Sequence, residues 1–379
     1  MDWTTWLELV IKAFVVIFVL LTGFAYLTLY ERRALARIQV RVGPNRAGPQ
    51  GLLQPIADAV KLIFKEEFTP ARADKLIFVI APVMTVVPAM IIAAVIPLGT
   101  QFTLPFTNRV ITLYVANINV GVLYLGAIAS IAVYGIVLAG WSSNNKYALL
   151  GGMRSTAQMI SYELALSLCF VVVILLGNSM SLVSIVEAQK GMWFAVLQPV
   201  GTLIFMIATL AEVNRAPFDM PEAEQELAAG YHTEYSGMKF ALFFMAEYEK
   251  MIVVSMITAT LFFGGYRELW FLKDTVLSVD RTWWLGPIYL FLKVVVLLFF
   301  MIWVRATWPR IRYDRLMAFG WKVLLPLSLV VVFVTALGIL LADQFGAFYI
   351  WTVPVLSIVA GLITVLLVNI SLRRKVAHA

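Results

Sequence analysis

Residues 159–177, MISYELALSLCFVVVILLG, decide the fold. The stretch holds one charged side chain, Glu163, and otherwise runs apolar, without the period-two alternation of a half-buried strand. A helix rises 1.5 Å per residue, so about 20 residues cross the roughly 30 Å hydrocarbon layer of a bilayer. Nothing in that layer satisfies a free backbone amide, so a run of this kind must be helical, and its unbroken hydrophobicity argues against a barrel. Comparable stretches lie near 7–29, 76–98, 117–139, 193–213, 239–264, 288–308, 321–342 and 347–370. With 61% hydrophobic and only 13% charged residues, the chain reads as an all-α, polytopic integral membrane protein of about nine transmembrane helices forming one domain.

Orientation follows from Lys and Arg, which short loops retain on the cytoplasmic side. The loops after the first, third, fifth and seventh spans, with the tail after the ninth, carry about 20 of the 29 basic residues, and the opposite side about five. The expected topology puts the N-terminus outside and the C-terminus in the cytoplasm. The net charge of +7 is then a topology signal, and nucleic acid is not the expected partner. The first span has no basic leader and no small-residue cleavage site, unlike a signal peptide. Cys169 stands alone, and His232 and His378 are the only histidines, so the chain offers no disulfide and too few ligands for haem, zinc or an iron–sulfur centre. No glycine-rich nucleotide loop follows a strand.

Two long connections face the inner side. In the first, residues 30–75, Gly43-Pro44-Asn45 and Gly48-Pro49 stop any helix, and a new one is expected over 51–67. At 100° per residue Gln54, Asp58, Lys61 and Lys65 share a stripe opposite Leu52, Leu53, Ile56, Val60, Ile63 and Phe64, the pattern of an amphipathic surface helix. Such a helix either covers the ends of its neighbours or frames an entrance for a lipid-like substrate.

The second connection, 214–238, is acidic. From Glu212 to Glu234 the chain holds Glu212, Asp219, Glu222, Glu224, Glu226 and Glu234 against a single Arg215. A cytoplasmic acidic loop is ordinarily a solvated face. Here Glu163, Glu212 and Glu247 also lie within or at the edge of apolar spans, where an acid costs about 2.5–3.5 kcal/mol to insert and is normally paired, wet or proton-carrying. Basic partners are scarce: Lys250 follows Glu247 by three residues and Lys293 lies in another span. Crowded carboxylates in a poorly hydrated place share protons as a coupled set. These residues predict a wet acidic path from the 214–238 loop into the spans.

Four segments carry a resemblance: YERRALARIQVRVGPNRAGPQGLLQPIADAVKLIFKE (30–66), NNKYALLGGMRSTAQMISYE (144–163), LAEVNRAPFDMPEAEQELAAGYHTEYSGMKFALFFMAEY (210–248) and WVRATWPRIRYDRLM (303–317). They closely resemble the quinone-chamber membrane subunit family, the H subunits, of respiratory complex I, the proton-pumping NADH:quinone oxidoreductase. The resemblance runs from the first span to about residue 335, and nine spans look like the bacterial form, so a bacterial cell membrane is implied. It implies that quinone enters beside the first span, the amphipathic helix and the sixth span. It also implies that other membrane-arm and peripheral-arm subunits are the partners, the latter carrying FMN and the iron–sulfur clusters. Arg41, Phe243, Phe244, Met245 and Arg312 would line or approach the quinone tunnel, although Phe243 and Phe244 also read as ordinary helix packing. Asp58, Glu163, Glu212, Asp219, Glu222, Glu224, Glu226, Glu234 and Glu247 match the family's acidic path. Glu187, in an outer loop, is expected to be a bystander.

Two other readings stand beside this one. The homologous component of a membrane-bound hydrogenase shares the fold without the quinone reaction, and a proton-coupled transporter would carry buried acids but also an internal duplication that the sequence lacks. The basic-residue bias generates a direct expectation: single cysteines placed in the 214–238 loop resist an impermeant thiol reagent on intact cells and react in inverted vesicles. Labelling from outside intact cells contradicts the orientation.

Overall fold

The computed structural model describes residues 3–103, 110–220, 229–269, 278–346 and 350–377, with side chains to residue 366. The helices are α1 (Trp3–Ile38), α2 (Gln54–Ile63), α3 (Lys75–Ala93), α4 (Gly121–Ser142), α5 (Lys146–Gly177), α6 (Leu182–Ala188), α7 (Phe194–Leu197), α8 (Pro199–Glu212), α9 (Gly237–Phe262), α10 (Leu285–Thr307), α11 (Tyr313–Phe319), α12 (Leu325–Phe345) and α13 (Thr352–Ala377). A π-turn at Gly320–Leu324 joins α11 to α12. The only sheet among the described residues is a hairpin in the loop after α3, where Gln101–Thr103 pairs antiparallel with Val110–Thr112.

Six helices among the described residues are long and apolar enough to cross a membrane: α1, α3, α4, α5, α10 and the continuous Tyr313–Phe345. The other expected spans are helical but depart from that simple form. The stretch 193–213 is broken, because Gln198 precedes Pro199 and takes φ −134°, ψ 71°, so that α7 ends and α8 begins. Helix α9 is long enough, but Lys239, Glu247, Glu249 and Lys250 interrupt its apolar run.

Core packing centres on α3, α4, α5, α8 and α9, while α1 lies outermost and leaves Phe14 and Phe18 exposed, as expected of a lipid-facing helix. The amphipathic helix α2 is shorter than 51–67, since Gln50 and Gly51 adopt positive φ and the chain turns before it. Of its polar stripe, Gln54 and Asp58 are half-buried, Arg32 of α1 donating to Asp58 at 2.7 Å, while Lys61 and Lys65 are exposed. Leu52, Leu53, Ile56, Val60, Ile63 and Phe64 are all exposed, so nothing among the described residues covers the apolar face.

Two local devices position the second inner connection. Gln158 of α5, fully buried, donates through Nε2 to the carbonyls of Ala211 at 2.8 Å and Phe218 at 2.7 Å, tying the end of α8 to the loop beyond it. The chain turns there because Asn214 takes the left-handed conformation that Asn tolerates better than most residues. On the far side of the loop, Gly151 of α5 lies against Gly230 so closely that a Cβ would stand 2.5 Å from the Gly230 Cα. Replacing Gly151 by Ala should therefore cost about 1–3 kcal/mol, with reduced accumulation and earlier thermal aggregation of the membrane-extracted protein. Gly191→Ala, where nothing lies within 4 Å of the added carbon, should match wild type. Equal behaviour of the two variants contradicts the packing argument.

Candidate functional site

The polar interior is built around Arg215, which immediately follows the Asn214 turn and points back into the bundle. Its Nη1 lies 3.1 Å from Glu31 Oε1 in the C-terminal part of α1, and its Nε lies 2.7 Å from Glu247 Oε1 on α9, an ion pair not aligned as a hydrogen bond. Its guanidinium stands 4.3 Å from the centroid of the Tyr248 ring. Arg305, from the last turn of α10, also pairs with Glu31 Oε1. Glu31 and Arg215 are almost completely buried, at 2% and 5% side-chain exposure, and removal of either leaves the other with a single partner, Arg215 with Glu247 or Glu31 with Arg305. Burial works against the Arg215 charge, and the Glu247 and Glu31 carboxylates outweigh it, raising the pKa above the ordinary guanidinium value.

Beyond Glu247 the ionisable groups continue along two small cavities. One, about 20 Å³, is lined by Thr85, Asn214, His232, Phe243, Glu247 and Lys250. His232 is uncharged there, since burial pushes its pKa down to about 3. The other cavity, about 40 Å³ and lined mostly by apolar side chains from α3, α4, α5, α8 and α9, holds Glu163, Glu212 and Lys250. Ser130 of α4 donates a short hydrogen bond to Glu163 Oε1. Pro88 lines this cavity from within α3, and one turn earlier the Thr85 hydroxyl donates to the Pro82 carbonyl at 2.6 Å. Water needs roughly 10–15 Å³ of such space, so each cavity has room for at least one molecule.

The structure thus brings Glu163, Glu212 and Glu247 into one run with Glu31 and Arg215. Other expected acids lie apart from it. Asp58 sits on α2, accepting from Arg32 and from Gln54 Nε2 at 3.0 Å. Glu234 accepts from Asn145 Nδ2 at 2.7 Å, and the Asp219 carbonyl accepts from Arg310. Glu222, Glu224 and Glu226 lie outside the described residues. Glu249, fully buried on another side of α9, lines neither cavity.

Among the expected tunnel residues, Phe243 is buried with its ring centroid 5.3 Å from Tyr231 and 4.9 Å from Tyr235. Phe244 is half-buried, its ring 4.7 Å from Tyr248, and Met245 is half-buried beside it. Arg41 and Arg312 are exposed, Arg41 donating to Gln39 Oε1 at 2.7 Å and Arg312 standing at the start of α11. A much larger apolar groove, about 490 Å³, lies between α1, α9 and α10, with Val16, Leu20, Ile252, Met256 and Leu298 among its walls. Tyr26 and Tyr30 line it too, and Tyr30 is the neighbour of Glu31.

Sequence reasoning did not single out Glu31, Arg305 or Ser130. For Glu31 and Arg305 the available signal was the same one that drew attention to Glu163: a charge within or beside an apolar run. The expectation for Glu187 is corrected. It pairs with Arg267 and accepts from the Tyr266 hydroxyl at 2.6 Å, while Asp280 pairs with Arg267 at 2.8 Å and Lys190 at 2.6 Å. Glu187 is therefore part of an ion-pair cluster that ties α6 to the segment after α9, and is not a bystander.

The profile of the family described as NADH dehydrogenase matches residues 11–336. The chain is 49% identical over 346 residues to H subunit 2 of the NADH-quinone oxidoreductase of Syntrophobacter fumaroxidans, covering 90% of this chain and 98% of the relative. It is 50% identical over 347 residues to the NADH-quinone oxidoreductase H subunit of Thermomicrobium roseum, covering 89% and 97%. With H subunit 1 of the Geobacter metallireducens enzyme the identity is 51% over 325 residues, covering 86% and 94%. Matches of this extent, to relatives spanned almost from end to end, show that the chain belongs to the H-subunit family of NADH-quinone oxidoreductase.

Proposed function

We propose that this chain forms much of the quinone-binding tunnel of a proton-translocating NADH-quinone oxidoreductase. In the same reading it supplies the acidic path that couples quinone reduction to proton pumping. The observation that carries the reading is the buried run Glu31–Arg215–Glu247–Lys250–Glu212–Glu163 crossing an otherwise apolar bundle. Acids in such surroundings are expensive unless they are paired or wet, and this run is paired at one end and lined by cavities at the other. The relatives' shared name supplies the reaction class.

Quinone reduction consumes two electrons and two protons per quinone. The electrons would come from iron–sulfur clusters, and ultimately FMN, held by peripheral-arm partners; this chain needs no redox group of its own for its part. Its residues would hold the quinone and sense its charge. The apolar groove between α1, α9 and α10 suits an isoprenoid tail, and its Tyr30 wall adjoins Glu31. A negative charge developing on a quinone head near the inner ends of α1 and α9 would act on Arg215 and Arg305. Any change in their pairing would be felt by Glu247 and by the groups beyond it. Arg41, Phe243, Phe244, Met245 and Arg312 are proposed to line or approach the tunnel. Asp58, Asp219, Glu222, Glu224, Glu226 and Glu234 are proposed to form the inner mouth of the path. The chain would lie in a bacterial cell membrane with its N-terminus outside, its C-terminus and acidic loop cytoplasmic, and other membrane-arm subunits beside it.

Glu212→Gln tests this most economically, because it keeps size and hydrogen bonding while abolishing titration. In the assembled complex, quinone reduction and proton pumping should fall together by about tenfold or more, while NADH-to-ferricyanide transfer, which ends at the flavin, continues. Asp343→Asn, at an exposed position near the end of α12, should leave all three unchanged. Near-normal quinone reduction and pumping in Glu212→Gln returns this carboxylate to a purely structural role.

A further inference from the structure

The two small cavities meet at one side chain. Among the described residues, Lys250 is the only one that lines both the Glu163–Glu212 cavity and the His232–Glu247 cavity. With volumes of about 40 and about 20 Å³, they have room for roughly three waters and one. A proton passing from one cavity to the other would meet, at the shared wall, a group that can take it from one side and release it on the other.

Lys250 has the position and the chemistry. It lies three residues after Glu247 on α9, hence on a neighbouring position of the same helix surface. It shares one cavity with Glu163 and Glu212 and the other with Glu247. Other cations within the bundle are fixed. Arg215 is held by Glu31 and Glu247, and Arg267 by Glu187 and Asp280. Lys293 donates to the carbonyls of Phe263, Gly265 and Arg267 at 2.6–2.8 Å. Among the described residues the Lys250 ammonium has no hydrogen-bond or ion-pair partner. A lysine on a four-carbon stem, shielded from bulk water and not clamped, can both reorient and lose its proton.

We propose that Lys250 is a proton-carrying residue that passes protons between Glu212 and Glu247. The neutral amine takes the proton of the Glu212 carboxyl: the O–H bond breaks, an N–H bond forms, and a carboxylate remains. The ammonium then gives one N–H proton to the Glu247 carboxylate and returns to the amine. One proton crosses the wall, no electrons move, and the reverse sequence runs equally well. The inference rests on the coupling role proposed above for Glu212.

The test uses the complete purified complex in proteoliposomes, with Lys250→Arg, Lys250→His and Lys250→Met. Arg keeps a positive charge but does not release its proton, whereas His titrates near neutrality. Lys250→Arg and Lys250→Met should lower coupled quinone reduction and pumping by roughly a hundredfold, with ferricyanide reduction per complex unchanged. Lys250→His should stay within a few-fold of wild type, with its pH–rate profile moved toward acid. Wild-type turnover in Lys250→Arg overturns the proposal, because a fixed cation is then sufficient. If the Arg variant does not assemble, the other two decide: Met inactive with His active supports it, and Met active, or both inactive, overturns it. Glu212→Gln measured in parallel separates the two readings. An impaired Glu212→Gln beside a normal Lys250→Arg removes only the role of Lys250, and a normal Glu212→Gln removes the path itself.

Discussion

Arg215 and Glu31 tie four parts of the chain together by charge. Glu31 brings the C-terminal part of α1, Glu247 brings α9, Arg305 brings α10 through Glu31, and Arg215 itself fixes the turn after α8. In an apolar bundle each of these charges alone would be costly to bury, and together they are tolerated because every carboxylate in the group faces a cation. The loop after α8 has no regular structure around residues 214–220, so its position depends on this group together with Gln158 and the Gly151–Gly230 contact.

The consequence is a separation of media within one bundle. Toward α1 and α10 the surface of α9 presents Ile252 and Met256 to a wide apolar groove; toward α3, α4, α5 and α8 it presents Glu247, Lys250, Val253 and Ile257 to narrow cavities that contain acids. Helix α9 thus stands between a space suited to a lipid-like chain and a row of titratable groups. Arg215 and Tyr248 sit at one end of that division. In the coupling proposed above, a charge arriving near Arg215 would alter how its partners share protons.

Much of this was legible in the sequence. Continuous apolar runs located the helices, and Glu163, Glu212 and Glu247 stood out because a carboxylate inside such a run has few acceptable environments. The break at Gln198–Pro199 falls at a proline, but Pro82 and Pro88 lie inside the unbroken α3, so a proline alone does not tell the two outcomes apart. What could not be read were the partners. Arg215 meets Glu31 across 184 residues and Arg305 meets the same carboxylate across 274, distances over which periodicity carries no information. Glu31 was visible only as one charge among several in a basic segment, and Glu187 looked like an idle loop acid because Arg267 and Tyr266 are about 80 residues away. Asp58 reversed the problem: its helical stripe was correctly read, yet its neighbour is Arg32 at the surface and not the buried acids.

The central claim is that the buried carboxylates change protonation as quinone is reduced. Redox-triggered infrared difference spectroscopy on the intact complex addresses it directly, because a protonated carboxyl in an apolar site has its own C=O stretching band. Reducing quinone in the wild-type complex should produce a carboxyl difference band that is absent in Glu212→Gln. Identical carboxyl regions in the two difference spectra would mean that Glu212 keeps one protonation state throughout, and would contradict this account.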